Sequence, residues 1–414
     1  MPPNDIQHFT YENGLTLVVE RMPYVQSAAF AILTPAGALY EQDGQSGTAA
    51  ALCDLMTRGA GNRNSRELSA AFDQLGVQRN ESSSLNFLSF GGSALAENIG
   101  SAIELYSTVI LRPRLPETHF APVISGIEQG LLAVEDDPQR KLLVELRRRC
   151  YDAPWNRPSD GDLAELDAIT LEGVQSHYDA HIRPNGTLIG VAGNVDPHEV
   201  RDCVGKCFED WQPKPEPVIE RTPHRAGYEH LQHDAAQTHI GLAFPAVPYG
   251  DPAYYAAWAA VSILSGGSSA RLFTEVRENR GLCYSIYATL HSVRGDGRVL
   301  AYAGTTNDRA QETLDVMLAE IERLPQGIEA EELERCRARA KSALIMQQES
   351  AASRAGSVAR DWFYLNRVNT LDDIHRELDS LSADRILEYL DAHPLADLTL
   401  LTVGPEALSM PKVS

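Results

Sequence analysis

Positive charge is scarce in this 414-residue chain: 36 Lys and Arg face 57 Asp and Glu, a net charge of −21. An acidic surface of that size repels phosphate backbones and anionic lipid, so neither nucleic acid nor a membrane surface is expected as a partner. Long apolar runs are missing too, and none approaches the roughly 20 residues of a membrane helix. The opening "MPPNDIQHFTYENG" lacks both the apolar core of a signal peptide and the Arg-rich, acid-poor character of a transit peptide, so a cytoplasmic location is expected. Cysteine is sparse: six lie scattered at 53, 150, 203, 207, 283 and 336, with no C-x-x-C pair, which argues for reduced thiols rather than a disulfide framework. Low-complexity tracts are absent.

What is present is a globular composition, 43% hydrophobic and 22% charged. The length exceeds what one hydrophobic core sustains, so two domains are expected. A repeat supports this. "LPE" at 115–117 returns as "LPQ" at 324–326, and "AITLEGVQSHYDAHIRPNGTLIGVAGN" (168–194) returns as "SLSADRILEYLDAHPLADLTLLTVGP" (380–405). Pro116 to Pro325 is 209 positions and Asp179 to Asp391 is 212, nearly one offset for both matches. In each copy of the longer repeat, Thr170 or Ser382 is placed to cap a helix, and a β-branched run then reads as a buried strand ending in Gly.

Between the copies, four prolines at 213, 215, 217 and 223 forbid a helix. The expected division is a domain over 1–212, a Pro-rich linker over 213–225 and a second domain over 226–414. Strand-like openings, "GLTLVVERM" and "SAAFAILTPAGALYE" in one half and "THIGLAFPAVPYG" in the other, precede helices at 47–58, 65–75, 252–264 and 268–279. Strands followed by helices predict an α+β class with largely antiparallel sheets.

Several local constellations carry ordinary readings. Cys53 lies in an Ala-rich helix with no His near it in sequence, and packs as a small hydrophobe. Asp54 and Arg58 have the i, i+4 spacing of a helix ion pair. Cys203 and Cys207 share that spacing, but two thiolates do not close a zinc site, so buried thiols are expected. His177 and His181 are also i, i+4, yet only His181 has a counterpart in the repeat, His393. The loop "SGGSSARLF" lacks the Lys of a phosphate-binding loop and reads as a hinge or helix start.

Two longer stretches carry more. "LTPAGALYEQDGQSGTAAALCDLMTRGAGNRNSRELSAAFDQLG" (33–76) and "GGSSARLFTEVRENRGLCYSIYA" (266–288), taken with the repeat, resemble the insulinase/pitrilysin-type zinc peptidases and the subunits of mitochondrial processing peptidase. The resemblance implies two homologous domains, each an antiparallel sheet packed with helices, forming a clam-like half-shell. Active members carry His-x-x-Glu-His on the first helix: two His ligate zinc, the Glu activates water and a distal Glu completes the site. Aligned on Gly47 and Gly59, those positions hold Ala50, Cys53 and Asp54. Registered on Pro138, the distal position holds Gly130, and a slip would bring Glu128. No His lies between His8 and His119 to supply the missing ligands.

The C-terminal stretch retains what the resemblance assigns to substrate binding, an Arg and a Tyr seven residues later: Arg277 and Tyr284, with Arg280 as the alternative Arg. A guanidinium fork and a phenol suit a peptide carbonyl or oxyanion. The resemblance therefore implies a zinc-free subunit that binds peptide and lends Arg277 and Tyr284 to the active site of a zinc-bearing homologous partner, with self-dimerisation as the alternative assembly. Other readings are a purely structural or peptide-holding subunit, and a stand-alone enzyme using another site.

Overall fold

A computed structural model describes residues 5–410. Its strands are β1 (Asp5–Thr10), β2 (Thr16–Arg21), β3 (Ser27–Thr34), β4 (Gly59–Ala60), β5 (Arg63–Asn64), β6 (Gln78–Ser83), β7 (Leu88–Leu95), β8 (Leu188–Gly193), β9 (Tyr228–Gln232), β10 (Gln237–Ala246), β11 (Cys283–Val293), β12 (Asp296–Thr306) and β13 (Thr399–Gly404). The helices are α1 (Thr48–Met56), α2 (Ser65–Gln74), α3 (Ile99–Leu111), α4 (Glu117–Glu135), α5 (Pro138–Cys150), α6 (Leu171–His181), α7 (Pro197–Phe208), α8 (Tyr254–Ser265), α9 (Ala310–Arg323), α10 (Ala330–Gln348), α11 (Ala351–Leu365), α12 (Leu371–Ser380) and α13 (Ala383–Ala392). The expected helices at 47–58, 65–75 and 252–264 correspond to α1, α2 and α8. The expected caps are made: Thr170 Oγ1 accepts from Gly173 N–H at 3.0 Å and Ser382 Oγ from Arg385 N–H at 3.1 Å.

The chain forms two compact units, and neither is continuous in sequence. One comprises residues up to 133, 157–220 and 345–371; the other comprises 134–156, 221–344 and 372 onward. These bounds depart from the expected halves 1–212 and 226–414. Helix α5 from the first half belongs to the second unit, and α11 from the second half belongs to the first. The Pro-rich stretch is itself divided at 220/221.

In the first unit a six-stranded sheet runs in the order β1-β2-β8-β3-β7-β6, antiparallel except for the β2–β8 pair. Strand side chains alternate between faces. Leu17, Val19, Phe30, Ile32, Ile189 and Val191 point into a core shared with Leu52, Leu55, Phe72 and Tyr106 of the helical layer. The alternate residues Met22, Ala29 and Ala192 form a smaller cluster with Ala351 and Ala355 of α11. The helix lies so close that a Cβ on Gly190 would stand 2.1 Å from the Ala355 carbonyl oxygen. Next to this contact Arg354 Nε donates to Glu20 Oε2 at 2.7 Å, with side chains 4% and 5% exposed.

The second unit repeats the plan with five strands, β11-β12-β10-β13-β9, antiparallel except for β13–β9. Ile240, Leu242, Val299, Ala301 and Leu400 enter its core with residues of α8 and α9. On the opposite face α5 takes the place that α11 takes in the first sheet: a Cβ on Gly241 would lie 2.6 Å from Leu142 Cδ2. The α+β class with largely antiparallel sheets thus holds for each unit by itself.

Removing one partner of a buried ion pair strands the other charge, at a cost of about 3–5 kcal/mol, whereas replacing both with apolar groups can be neutral. Arg354→Met alone is therefore expected to lower stability by that amount in urea denaturation, and Glu20→Leu with Arg354→Met to recover most of it. A single-variant loss below about 1 kcal/mol, the scale of exposed pairs, would contradict the pair's role in docking α11.

Candidate functional site

Helix α1 begins after Gly47, whose φ of 112° is open to glycine and strained for other residues. Leu52, Leu55 and Met56 are fully buried, the expected core face. Its N-terminus has no capping side chain at Gly47. Glu41 does that work instead: its Oε1 accepts from Gly47 N–H at 3.0 Å and Ala49 N–H at 2.8 Å. This residue was not singled out from the sequence, because a cap six residues upstream has no short-range signature.

The positions that the family resemblance assigns to zinc chemistry lie on α1 and α4. Ala50 is half-buried and Gly130 is exposed on α4, with open space where a Cβ would stand; neither has a donor side chain. Asp54 is engaged bidentately by Arg58, Nε to Oδ1 at 2.7 Å and Nη2 to Oδ2 at 3.0 Å, the expected ion pair. Cys53 is buried, and burial first, then the carboxylates of Glu81 and Asp54, push its thiol up to about 12. It is neither thiolate nor nucleophile at neutral pH. Among the described residues no group of three or more His, Cys, Asp or Glu side chains is placed to hold a metal ion. The side chains at these four positions do not fit zinc.

The His177 and His181 rings pack at 4.7 Å between centroids, tilted by 57°. His177 Nε2 is within 2.9 Å of the Ala36 carbonyl, which suits a neutral ring donating to backbone. Burial lowers both; His181 falls to about 4, with His177, Arg183 and Lys214 adding to the effect. These are packed histidines.

Arg277 and Tyr284 are brought together within the second unit. The expected helix at 268–279 is a short helical segment whose residues Phe273–Asn279 form a widened, π-type turn. Leu282 N–H closes it on the Val276 carbonyl at 2.9 Å. Such turns recur at functional sites. Pairing of β11 with β12 then slips between Cys283 and Ser285, leaving Tyr284 as the extra residue of a bulge, 80% exposed. Arg277 Nη1 donates to the Tyr284 carbonyl at 2.7 Å. Its guanidinium carbon lies 4.6 Å from the Phe273 ring centroid and 5.0 Å from that of Tyr284. Among the described residues no carboxylate pairs with Arg277. Arg280 is exposed and takes no part in the cluster. Both the wide turn and the bulge escaped sequence reading, since neither has a residue signature in "TEVRENRGLCYS".

This layout is matched by two family models. Residues 16–158 match the model described as insulinase (peptidase family M16), and residues 168–340 match the peptidase M16 inactive domain. The chain belongs to peptidase family M16. Similar proteins include an uncharacterised zinc protease of Rickettsia felis, 24% identical over 96% of this chain and 97% of its own length. Another is the uncharacterised zinc protease YmxG of Bacillus subtilis, 25% identical over 92% and 94%. Among solved structures, a peptidase M16 inactive domain from Pseudomonas fluorescens superposes with a TM-score of 0.90 at 20% identity, covering 98% of this chain and all of that one. A Helicobacter pylori protease gives 0.88 at 19%, covering 97% and 99%.

Burial raises the Glu41 carboxyl to about 7, against 4.5 for the free group, even though two backbone N–H groups oppose the shift. The folded chain therefore retains a proton that the unfolded chain has released between those pH values, and stability falls as pH rises through that window. Glu41→Gln keeps an oxygen for the two N–H groups and removes the titration. Its urea midpoint is expected to fall less than that of the wild type between pH 5 and pH 8; parallel curves would refute the assignment.

Proposed function

We propose that this chain is a zinc-free subunit of a family M16 peptidase assembly, acting with a homologous chain that carries His-x-x-Glu-His. The partner supplies the metal and the attacking water, and this chain supplies peptide-binding surface with Arg277 and Tyr284. One observation carries the reading: the chain contains no His-x-x-Glu-His, while Arg277 and Tyr284 sit together, joined by a hydrogen bond, with Tyr284 exposed. Relatives bearing the description zinc protease support a proteolytic context for the assembly. In this role the exposed phenol and the unused N–H donors of Arg277 bind the substrate backbone and stabilise the oxyanion that forms on it, which is where such donors contribute most to rate.

A second reading is favoured by the hydrogen bond from Arg277 to the Tyr284 carbonyl: the pair is structural, and the chain holds peptide or scaffold without affecting cleavage. Co-expression with a His-x-x-Glu-His homologue from the same genome distinguishes the two. The first reading expects peptidase activity above that of the partner alone, and Arg277→Ala to cost 10²–10³ in turnover, about the loss of one oxyanion donor. Unchanged turnover in Arg277→Ala would favour the scaffold, and near-stoichiometric zinc in the purified chain would overturn both.

A further inference from the structure

Helices α6 and α13 occupy the same station of the repeat and run into the same Asp-Ala-His segment. At the offset of 212, Tyr178 answers to Leu390 and His181 to His393. In the first unit Tyr178 OH donates to the Ile110 carbonyl at 2.9 Å, so the phenol bridges α6 to α3. Leu390 has no hydroxyl and a shorter reach. In the second unit a cavity of about 290 Å³, bordered by Leu390, lies between the corresponding helices α13 and α9. Helix α8 contributes Ala257, Ala260 and Leu264 to its wall, β12 contributes Val299 and the end of α9 contributes Ile321. All of these are buried, and the two alanines leave room that longer side chains would take.

The polar groups stand on its solvent side. Asp391 and His393 are exposed and Glu322 is half-buried, and all three border the cavity; among the described residues no Lys or Arg does. His393 Nδ1 lies 2.9 Å from the Tyr389 carbonyl oxygen. A carbonyl only accepts, so Nδ1 carries the proton and Nε2 is left as an acceptor in the neutral ring. The ring stacks on that of Tyr389, 4.6 Å between centroids and 27° between planes, giving the cavity a flat aromatic border. Ligand sites are apolar hollows with a few orienting polar groups, and an apolar cavity of about 150 Å³ already takes up benzene. Carboxylates at the border repel an apolar anion such as a fatty acid and favour a ligand that ends in an ammonium. We propose that this cavity binds a small hydrophobic amine, its apolar group inside and its ammonium beside Asp391, with Glu322 adding to the negative field. A free amine and the N-terminal residue of a peptide share this chemistry. The site is independent of the Arg277–Tyr284 corner, neither residue of which borders it.

The test is isothermal titration calorimetry of the full-length chain with 2-phenylethylamine. Ligand efficiencies typical of small molecules put its dissociation constant at about 1 mM, and burial of the ring gives a negative heat-capacity change. 3-Phenylpropionate, similar in shape and opposite in charge, is expected not to bind measurably. Asp391→Asn, at an exposed position, is expected to weaken the amine about two- to five-fold, the scale of an exposed charge pair. Leu390→Tyr installs the residue that the first unit has at this station and is expected to abolish binding, with circular dichroism checking that the variant folds. Phenylalanyl-glycinamide identifies the source: binding at least as tight as that of the amine assigns a peptide amino terminus, and weaker binding assigns a free amine. Absence of saturable amine binding, equal binding of the carboxylate, an affinity unchanged by Asp391→Asn, or a folded Leu390→Tyr chain with wild-type affinity would overturn the site.

Discussion

Each of the two large sheets has two faces to bury, and its own flanking helices cover only one. The second face is closed by a helix encoded far away in sequence, α11 on the first sheet and α5 on the second. Both closures rest on the same device, a glycine in a central strand that lets the helix approach: Gly190 beneath Ala355 and Gly241 beneath Leu142. In the first unit the closure also carries the buried Glu20–Arg354 pair, which links residues 334 positions apart. A carboxylate on β2 would be intolerable beneath an apolar helix, and a guanidinium on α11 equally so beneath an apolar strand. Each is tolerable only because the other is there. The pair thus fixes where on the sheet α11 docks.

This constraint also explains what the sequence could and could not disclose. The repeat, the capped helices ending at the "DAH" segments and the buried strands β8 and β13 were legible because their signals are local: a Thr or Ser cap, a helical period, a β-branched run closed by Gly. The α+β class followed from the same signals. Exchange of α5 and α11 was not legible, because an amphipathic helix advertises that it has an apolar face and not which sheet that face meets. Glu20 shows the limit: within "GLTLVVERM" it reads as a solvent residue of an alternating strand, and only Arg354 reveals that its face is covered.

The same limit applies at the candidate site. Residue identities showed that Ala50 and Gly130 carry no metal donor and that Cys53 and Asp54 do not make the His-x-x-Glu-His set, and the Asp54–Arg58 pair was legible from its spacing. Glu41 was not, since its link to Gly47 and Ala49 depends on the path of the intervening loop. Tyr284 was identified through family resemblance alone. Its exposure comes from a register slip between β11 and β12, and strand alternation by itself says nothing of such a slip.

Helix α1 and the Arg277–Tyr284 corner therefore carry different weight. On α1, Ala50, Cys53 and Asp54 stand beside the core-filling Leu52, Leu55 and Met56; alanine favours a helix, and Asp54 makes an ion pair with Arg58. Those residues are fully accounted for by folding, and nothing about them calls for a ligand. The corner is accounted for only in part. Holding the turn takes one hydrogen bond from Arg277 to a carbonyl, whereas a guanidinium offers five N–H donors in a fixed fork. A phenol 80% exposed contributes little burial to the fold in return for its ordering. The remaining N–H donors and the exposed ring, whose centroid lies 5.0 Å from the guanidinium carbon beside the turn and bulge, are the part of the molecule that local stability leaves unexplained.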